Sequence, residues 1–340
     1  MQVGPLSGPG VDNARASVAL ILGVPVDDIT MDETINRIFE LVVDGRASGT
    51  SHQVATVNVD FVVNAVRDPE LGALMRRTSL SIPDGMPIVW GSRLLASPLR
   101  TRVAGADLVA AIVRRAAADR TKVVLYGAAP GVAQRAADKL RSEYPQANVT
   151  GDAGPAFRNV DELTIADLAA LRDLAPDICC VAFGNPKQER FIARFGQQLG
   201  IPVMIGVGGT LDFLVGEQRR APPWMQRSGL EWVHRAASEP RRLGTRYVRD
   251  AGIFLPRLAR QAWCGRRSRR VGRVRFDLGE DGTTIVDLTM LLVADNEIAG
   301  QIVSVLRAAR VEHRPVEVRG ASFAHLGSIP GLAELVALSA

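Results

Sequence analysis

The sequence predicts an α/β fold in which helices cover both faces of a parallel sheet. From Val18 onward, apolar runs of strand length alternate with helical segments over about 200 residues, the pattern of repeated strand–helix units. The run at 178–183 is apolar at every position, as expected of a strand buried on both faces. Polar residues follow its end, where open α/β sheets bind ligands. Together these observations predict a Rossmann-like domain.

The predicted strands of this domain are short apolar stretches that end at glycine, proline or a polar residue. Their composition favours a buried sheet. In chain order they are 18–25, 53–57, 80–83, 122–126, 149–150, 178–183 and 203–207.

Helices are predicted between these strands from capping residues and helical periodicity. Thr30, with Glu33 three residues later, predicts a capping box for a helix to about residue 44. Pro186 suits the first turn of a helix that continues to Phe195. The remaining helices are expected at 61–66, before Met75, at 86–95, after Asp107, at 132–144 and at 161–174.

The character of the chain changes at Arg219. Helices are predicted at 229–235 and from Glu239 through Phe254, and Pro256 is expected to kink or end the second. A second, small α/β unit then follows, with strands 274–278, 284–288 and 316–318 and helices 298–310 and 331–337. The predicted organisation is a loose arm (1–17), the Rossmann-like domain (18–213), a basic helical appendage (214–270) and a C-terminal domain (273–340).

Composition and cysteine usage bound the class of protein. With 47% hydrophobic and 23% charged residues over 340 positions, the chain is globular. Its three cysteines, two of them adjacent in a predicted buried strand, give neither a disulfide framework nor a metal spacing, so we expect a reducing compartment. No apolar run approaches the roughly 18 residues of a membrane span, so a soluble or peripheral protein is expected.

The basic residues are concentrated in one segment. Residues 214–275 contain sixteen arginines, no lysine and four acids, a net charge of +12 in a chain of net +5. Arginine suits phosphate groups, and a basic amphipathic helix suits an anionic membrane surface. A helical cap with arginines in solvent is the structural alternative. A nucleic-acid-binding module is disfavoured, because the arginines are not interleaved with stacking aromatics.

Polar residues follow several of the predicted strands. Thr56 and Asn58 end one strand, Asp84 and Gly85 follow the next, and a polar turn begins at Asn185. The carboxyl ends of parallel strands meet at one sheet edge, so these residues predict a ligand site there. Helix-opening turns, with Asp84 as an N-cap, are the structural alternative.

A glycine turn at 127–131 lies between a strand and a helix, as in phosphate-binding loops. Its glycine spacing is not the dinucleotide fingerprint, so on its own it is weak evidence.

Short motifs stand in a fixed order along the chain. They are Thr56-x-Asn58, Ile82-Pro83-Asp84-Gly85, Arg102-Val103-x-Gly105-x-Asp107, Gly127-x-x-x-Gly131, Pro186-Lys187-Gln188-Glu189, Gly206-Val207-Gly208-Gly209, Arg220-Ala221-Pro222, Glu231-Trp232, Glu239-Pro240-Arg241-Arg242 and Arg246-Tyr247. This ordered set resembles the WecG/TagA/CpsF glycosyltransferase family over residues 18–250.

The resemblance implies an inverting, metal-independent transfer of sugar from a UDP-sugar to a polyprenyl-diphosphate-linked saccharide. This reaction would serve bacterial surface polysaccharide or exopolysaccharide biosynthesis at the cytoplasmic face of the plasma membrane, with no cofactor. The sequence agrees on the metal, since there is no Asp-x-Asp motif at a strand end and the four histidines have no ligand spacing. Fixed donors and arginines would then stabilise the leaving diphosphate.

The resemblance also implies roles for individual residues. Asp84 would be the base that takes the acceptor hydroxyl's proton, with Thr56, Arg102 and Gln188 completing the catalytic set. Asp212 is a weaker candidate for the base. The implied substrate-binding residues are Asn58, Gly105, Gly127, Gly131, Asn185, Lys187, Glu189, Gly208, Asp212, Arg235, Arg242 and Arg246. The family often has Arg-Arg-Tyr where this chain has Thr245-Arg246-Tyr247, so the arginine that meets the diphosphate is left open.

Residues 273–340 lie outside this resemblance and are similar to a STAS-like domain, on the strands 284–288 and 316–320 and the closing helix from Gly331. The segment has no nucleophile, metal set or phosphate loop, which favours binding of a protein partner or regulation. A non-catalytic scaffold is the alternative for the whole chain, and the intact set of Asp84, Arg102 and Gln188 argues against it. No nucleic-acid partner is expected.

Overall fold

The computed structural model describes most of the chain outside its first segment. The described residues are 18–218, 220–222, 224–225, 228–238, 243–267, 274–289, 291, 295–320, 326 and 330–337. The predicted N-terminal arm (1–17) and Arg242 lie outside them.

Six strands of the described residues form one parallel sheet, in the order β4-β3-β8-β7-β5-β6. All six carboxyl ends therefore lie at the same edge, which confirms the predicted parallel α/β architecture. The strands are β3 (His52–Val57), β4 (Leu80–Pro83), β5 (Lys122–Gly127), β6 (Asn148–Asp152), β7 (Ile178–Ala182) and β8 (Val203–Gly206).

Helices connect these strands and cover both faces of the sheet. Thr30 and Glu33 form the predicted capping box at the start of the first helix. The helices are α1 (Met31–Ser48), α2 (Val59–Arg67), α3 (Pro69–Arg77), α4 (Met86–Leu94), α5 (Gly105–Asp119), α6 (Val132–Glu143), α7 (Ala169–Leu174), α8 (Lys187–Leu199) and α9 (Thr210–Leu214). The basic segment adds α10 (Glu231–Ser238) and α11 (Thr245–Arg267).

The sheet core is apolar on both sides. Every residue of β7 is buried, Cys179 and Cys180 included. On one face, Phe191 of α8 packs against Tyr126 of β5 and against Phe195, while helices α1, α5 and α6 cover the other face. Burial on both faces explains why the strand reads as an unbroken apolar run.

Two sequence predictions about elements were wrong, and one of two alternatives for Pro256 is excluded. The segment predicted as one strand at 18–25 is a hairpin of β1 (Val18–Ile21) and β2 (Val24–Asp27), outside the main sheet. The predicted helix 161–174 is broken into two 3₁₀ turns and the short α7. Pro256 does not end its helix, because α11 continues through it to Arg267.

The C-terminal unit has its own mixed sheet, ordered β11-β10-β9. Strands β9 (Arg275–Leu278) and β10 (Thr284–Asp287) are antiparallel, and β11 (Val316–Arg319) is parallel to β10. Helices α12 (Asn296–Val311) and α13 (Leu332–Ala337) complete the described part of this unit.

The hairpin β1–β2 joins the C-terminal unit to the rest of the chain. Val18 and Leu20 pack into the C-terminal core, while Ile21 and Val26 pack with α2, α4 and α11. Gly300 lets α12 approach closely, since a Cβ there would lie 2.1 Å from the carbonyl oxygen of Val18. The strand predicted for the catalytic sheet therefore joins two cores.

A buried ion pair fixes α12 against the sheet. Arg307 Nη1 lies 2.7 Å from Asp27 Oδ2, and Arg307 Nη2 donates to Thr78 Oγ1 (2.6 Å) and Ser81 Oγ (2.9 Å). Asp27 also accepts from the backbone N–H of Ser81 in β4 (2.7 Å). The contacts connect the C-terminal unit directly to the strand that ends at Asp84.

Candidate active site

The carboxyl edge of the sheet carries most of the residues predicted for the site. Asp84, Arg102, Gly105 and Arg235 share one polar cluster, as their contacts and charges below show. Asn185, Gln188, Glu189 and Gly208 form a second network at the ends of β7 and β8. Residues Gly127, Gly131 and Lys187 lie at the ends of β5 and β7, outside the contacts of both networks.

Asp84 directly follows β4 and is held by backbone on both sides. Its own N–H donates to the carbonyl oxygen of Val57 at the end of β3 (2.8 Å). The N–H of Gly105, at the start of α5, hydrogen-bonds to the Asp84 carboxylate. A Cβ at Gly105 would lie 2.8 Å from Thr210 Oγ1, so the missing side chain lets the start of α5 lie close to the start of α9.

The charges around Asp84 act in opposite directions. Burial is the largest effect and raises the pKa of Asp84, because it disfavours the charged carboxylate. Arg235 and then Arg102 lower that pKa, and the charge of Glu231 raises it. The net pKa is raised, which moves this carboxyl toward the range useful for a general base.

Arg102 connects the catalytic domain to the basic segment. Its Nη1 lies 2.6 Å from Glu231 Oε2, with both side chains mostly buried. Arg220 grips Asp107 with two hydrogen bonds, Nη1 to Oδ1 (2.5 Å) and Nη2 to Oδ2 (3.1 Å), and its Nε lies 3.8 Å from Glu231 Oε1. Acidic residues on α5 and α10 thus position Arg102 and Arg220.

Arg235 is positioned by an aromatic ring. Its guanidinium carbon lies 4.9 Å from the centroid of Phe213 in α9, at the end of β8. Arg246 lies elsewhere, over the ring of Tyr247 (5.4 Å) and 3.9 Å from Asp60 Oδ2. Of the three arginines predicted to meet the diphosphate, Arg235 is the one whose charge acts on Asp84, and Arg242 is outside the described residues.

Gln188 is fully buried, and its amide joins two loops. Its Oε1 accepts from the N–H groups of Gly184 (3.1 Å) and Gly208 (3.0 Å), and its Nε2 donates to Glu189 Oε1 (2.8 Å). The predicted direct contact of Gln188 with the donor stays a prediction. Its geometry favours holding the turns after β7 and β8 in place.

Glu189 is also fully buried, and no arginine or lysine contacts it among the described residues. Burial raises the pKa of Glu189 to about 7, against the lowering effect of hydrogen bonds from Gln188 and Asn185. Asn185 Nδ2 donates to Glu189 Oε2 (2.8 Å) and its Oδ1 accepts from Asn64 (2.6 Å). Two predicted substrate-binding residues, Asn185 and Glu189, are thus members of one buried network.

Thr56 and Asn58 have local hydrogen-bond partners. Thr56 is buried and its Oγ1 donates to the carbonyl oxygen of Gly206, tying β3 to β8 (2.7 Å). Asn58 caps α2, accepting from the N–H of Phe61 (3.2 Å). These contacts are structural, and the predicted contacts of Thr56 and Asn58 with sugar or acceptor stay predictions.

The glycine turn after β5 has the conformation that its sequence predicts. Gly127 and Gly131 both have positive φ, and Gly131 precedes α6 in the left-handed region. A Cβ on Gly127 would lie 2.7 Å from the ring of Phe183, so glycine is needed for packing there. Lys187 turns toward Phe157, whose carbonyl oxygen lies 3.4 Å from its Nζ.

Asp212 lies in α9, with its Oδ2 3.5 Å from where a Cβ on Gly209 would stand. Within the described part of the chain, no three His, Cys, Asp or Glu side chains gather as metal ligands.

Comparison of the chain with known proteins identifies its family. The glycosyl transferase WecG/TagA/CpsF family matches residues 19–268, most of the chain. The chain belongs to this family. It is therefore a glycosyltransferase, and the matched span holds both networks at the carboxyl edge.

Curated relatives of this transferase are named N-acetylglucosaminyldiphosphoundecaprenol N-acetyl-beta-D-mannosaminyltransferase. The protein of Bacillus subtilis (strain 168) is 32% identical over 187 residues, 55% of this chain and 72% of the relative. The protein of Bacillus spizizenii is 30% identical over 189 residues, 56% of this chain and 72% of the relative. The protein of Staphylococcus aureus (strain MW2) is 29% identical over 240 residues, 71% of this chain and 91% of the relative.

Several residues of the site were given no role from the sequence. Glu231, Arg220 and Asp107 stood in the motifs, yet their mutual pairing was not predicted. The sequence did hold one signal, because an acid such as Glu231 within a segment of sixteen arginines is expected to pair with some of them. Phe213 and Asp60 carried no comparable signal, because their contacts with Arg235 and Arg246 depend on how the basic segment packs.

Proposed function

We propose that this glycosyltransferase moves a sugar from a UDP-sugar to a lipid-diphosphate-linked saccharide, with inversion and without a divalent metal. The observation that carries the proposal is the cluster of Asp84, Arg102 and Arg235 at the carboxyl edge of the sheet. It combines one carboxyl of raised pKa with two guanidinium groups, which is the pairing of base and phosphate ligands that such a transfer needs.

In the proposed mechanism, Asp84 accepts the proton of the acceptor hydroxyl as that oxygen bonds to the anomeric carbon. The bond from the anomeric carbon to the UDP oxygen breaks, and inversion follows from attack opposite the leaving group. Arg102 and Arg235 stabilise the negative charge that develops on the diphosphate. Gln188 positions the Gly184 and Gly208 turns, and the nucleotide would lie against the backbone of the Gly127–Gly131 turn.

The relatives suggest which substrates to test first. Their names specify an N-acetylmannosaminyl group and an N-acetylglucosaminyl-diphosphoundecaprenol acceptor. We propose the same donor and acceptor classes here, with UDP-N-acetylmannosamine as the first donor to test.

We also propose that α11 rests on an anionic membrane surface. Phe254, Leu258 and Ala262 bury one side of this helix against α2 and α4. The other side exposes Leu255 and Trp263, about 60% each, among arginines. This is the pattern of a helix that lies in an interface. Among the described helices, none has the length and apolar character needed to cross a membrane.

For the C-terminal unit we propose the STAS-like, partner-binding role that its sequence suggests. The parallel pair β10–β11, connected through α12, supports an α/β unit in this part of the chain.

The proposed function is tested by calorimetric titration of the full chain with UDP and a panel of UDP-sugars, with chelator present. Binding of UDP and of one or two UDP-sugars is expected. Absence of binding both in solution and in the presence of anionic vesicles would contradict the proposed donor class. Binding of UDP that occurs without chelator and is lost when chelator is present would contradict the metal-independent mechanism.

A further inference from the structure

A cavity with both polar and apolar walls lies at the opposite edge of the sheet from Asp84. Its volume is about 260 Å³. Thr50, Ser51 and His52 line it at the amino end of β3, and Ser79 lines it just before β4. Residues of α3 and α8 form further walls, and the last turn of α12 closes it with Arg310 and Val311. The cavity therefore lies between the catalytic sheet and the C-terminal unit.

The charge of this cavity is positive. Arg77 and Arg310 line it, and of the described residues that line it none is acidic. Burial, together with the positive charges of Arg307 and Arg77, lowers the pKa of Arg310. Arg310 Nη1 donates to the backbone carbonyl oxygen of Arg77 (3.4 Å), which keeps these two arginines beside each other, and an anion in the cavity would offset their like charges.

The hydroxyl groups of the cavity supply further donors. Ser51 Oγ has no hydrogen-bond partner among the described residues, but protein encloses it beside Gly196, so the donors that face the cavity are other groups. Thr50 and Ser79 line the same space. Hydroxyl and guanidinium donors together match the oxygens of a phosphate group.

His52 argues against a cation at this position. Its Nε2 lies 2.7 Å from Asp44 Oδ2 and its Nδ1 lies 3.1 Å from Ser79 Oγ, so both ring nitrogens are already engaged. The apolar side chains of Leu74 and Ile192 complete the lining. They give an organic group attached to the phosphate a surface to contact.

We propose that this cavity binds a small phosphate-bearing ligand and that the C-terminal unit is required for the site. The cavity lies at the amino ends of β3 and β4, whereas Asp84 follows the carboxyl end of β4, so the site is separate from the transferase cleft. Arg307 lies one helical turn before Arg310 on α12 and bonds to Ser81 of β4 (2.9 Å). A ligand held by Arg310 therefore stabilises the docking of α12 on the strand that carries Asp84.

The site is tested by calorimetric titration of the full chain with inorganic phosphate at constant ionic strength. The wild type is expected to bind, and Arg77→Gln and Arg310→Gln each weaken binding roughly tenfold or more. Arg114→Gln removes an equal charge from an exposed position on α5 and leaves the affinity unchanged. Arg102→Gln also retains cavity binding, which separates this site from the cleft. Phosphate is expected to raise the thermal midpoint of the wild type but not that of Arg77→Gln.

Three results would overturn the site. The first is no phosphate binding by the wild type. The second is binding that is lost in Arg102→Gln but kept in Arg77→Gln, which assigns the phosphate to the cleft. The third is an equal rise of the thermal midpoint in phosphate and in acetate, which would show general screening of charge. Because Arg77 is exposed, its substitution tests the site even where Arg310→Gln fails to fold.

Discussion

Arg102 and Glu231 are 129 positions apart in the chain, yet Arg102 Nη1 lies 2.6 Å from Glu231 Oε2. This contact brings the basic segment onto the carboxyl edge of the sheet, beside Asp84. Glu231 therefore has two effects: it positions an arginine next to the proposed base, and its charge raises the pKa of that base.

The pH dependence of transfer should respond in opposite directions to two substitutions near Asp84. Glu231→Gln removes a charge that raises the pKa of Asp84, so the acidic limb of the kcat/KM profile should move to lower pH. Arg235→Gln removes the charge that lowers this pKa most, so the limb should move to higher pH. Glu217→Gln is the matched control, because Glu217 lies in the same segment but is exposed and paired with Arg135. This variant should leave the acidic limb where it is in the wild type. Shifts of the same sign in both variants would exclude Asp84 as the titrating group.

The buried carboxyl of Glu189 should make stability fall as pH rises. Its pKa is raised from 4.5 to about 7, so between these values the folded state holds a proton that the unfolded state releases. The free energy of unfolding should then drop by about 3 kcal/mol across this window. The free energy of unfolding of Glu189→Gln should not show this drop. Denaturant titrations of the wild type and the variant from pH 4 to 8 measure both free energies. Parallel stability curves for wild type and variant would refute it.

The ion pair of Arg307 with Asp27 should be costly to break from one side. Arg307→Met leaves Asp27 buried without its cation and should reduce the free energy of unfolding by about 3–5 kcal/mol. The double variant Asp27→Asn/Arg307→Met should lose less than the sum of the two single losses, because neither charge remains. Arg314→Gln is the control at a more exposed position on the same unit. A strictly additive double variant would show that the two side chains do not interact.

Membrane association should depend on the exposed apolar residues of α11. Leu255→Ser and Trp263→Ser should each weaken binding to anionic vesicles by about 1–2 kcal/mol, since each removes apolar surface that would enter the interface. Leu278→Ser changes a similarly exposed leucine on β9 and should bind as the wild type does. Vesicle sedimentation measures all three. Equal binding by the three variants would remove α11 as the membrane contact.

Local signals in the sequence were sufficient for most of the sheet and for the position of the site. The strand at 80–83 has the predicted bounds, and the capping box of Thr30 and Glu33 is formed. Parallel strands of known direction are enough to place Asp84 and Gly208 at one edge. These features depend on residues that are neighbours in the chain.

What the sequence could not predict depends on contacts between distant residues. The hairpin at Gly23 reads as a continuous apolar run because the C-terminal core buries one side and α11 the other. The full burial of Gln188 and Glu189 was not predicted, and it depends on Gly206, since a Cβ there would lie 2.5 Å from Gln188 Nε2. Their roles toward the substrate stay predictions.

The role of Asp84 as the base is tested most directly by comparing transfer by the wild type and by Asp84→Asn. The assay follows transfer from UDP-N-acetylmannosamine to an N-acetylglucosaminyl-diphospholipid on anionic vesicles, with UDP affinity measured in parallel. We expect transfer by the wild type, a loss of about 10²–10⁴-fold in kcat for Asp84→Asn, and nearly equal UDP affinity for both. Unchanged turnover by Asp84→Asn would contradict that role.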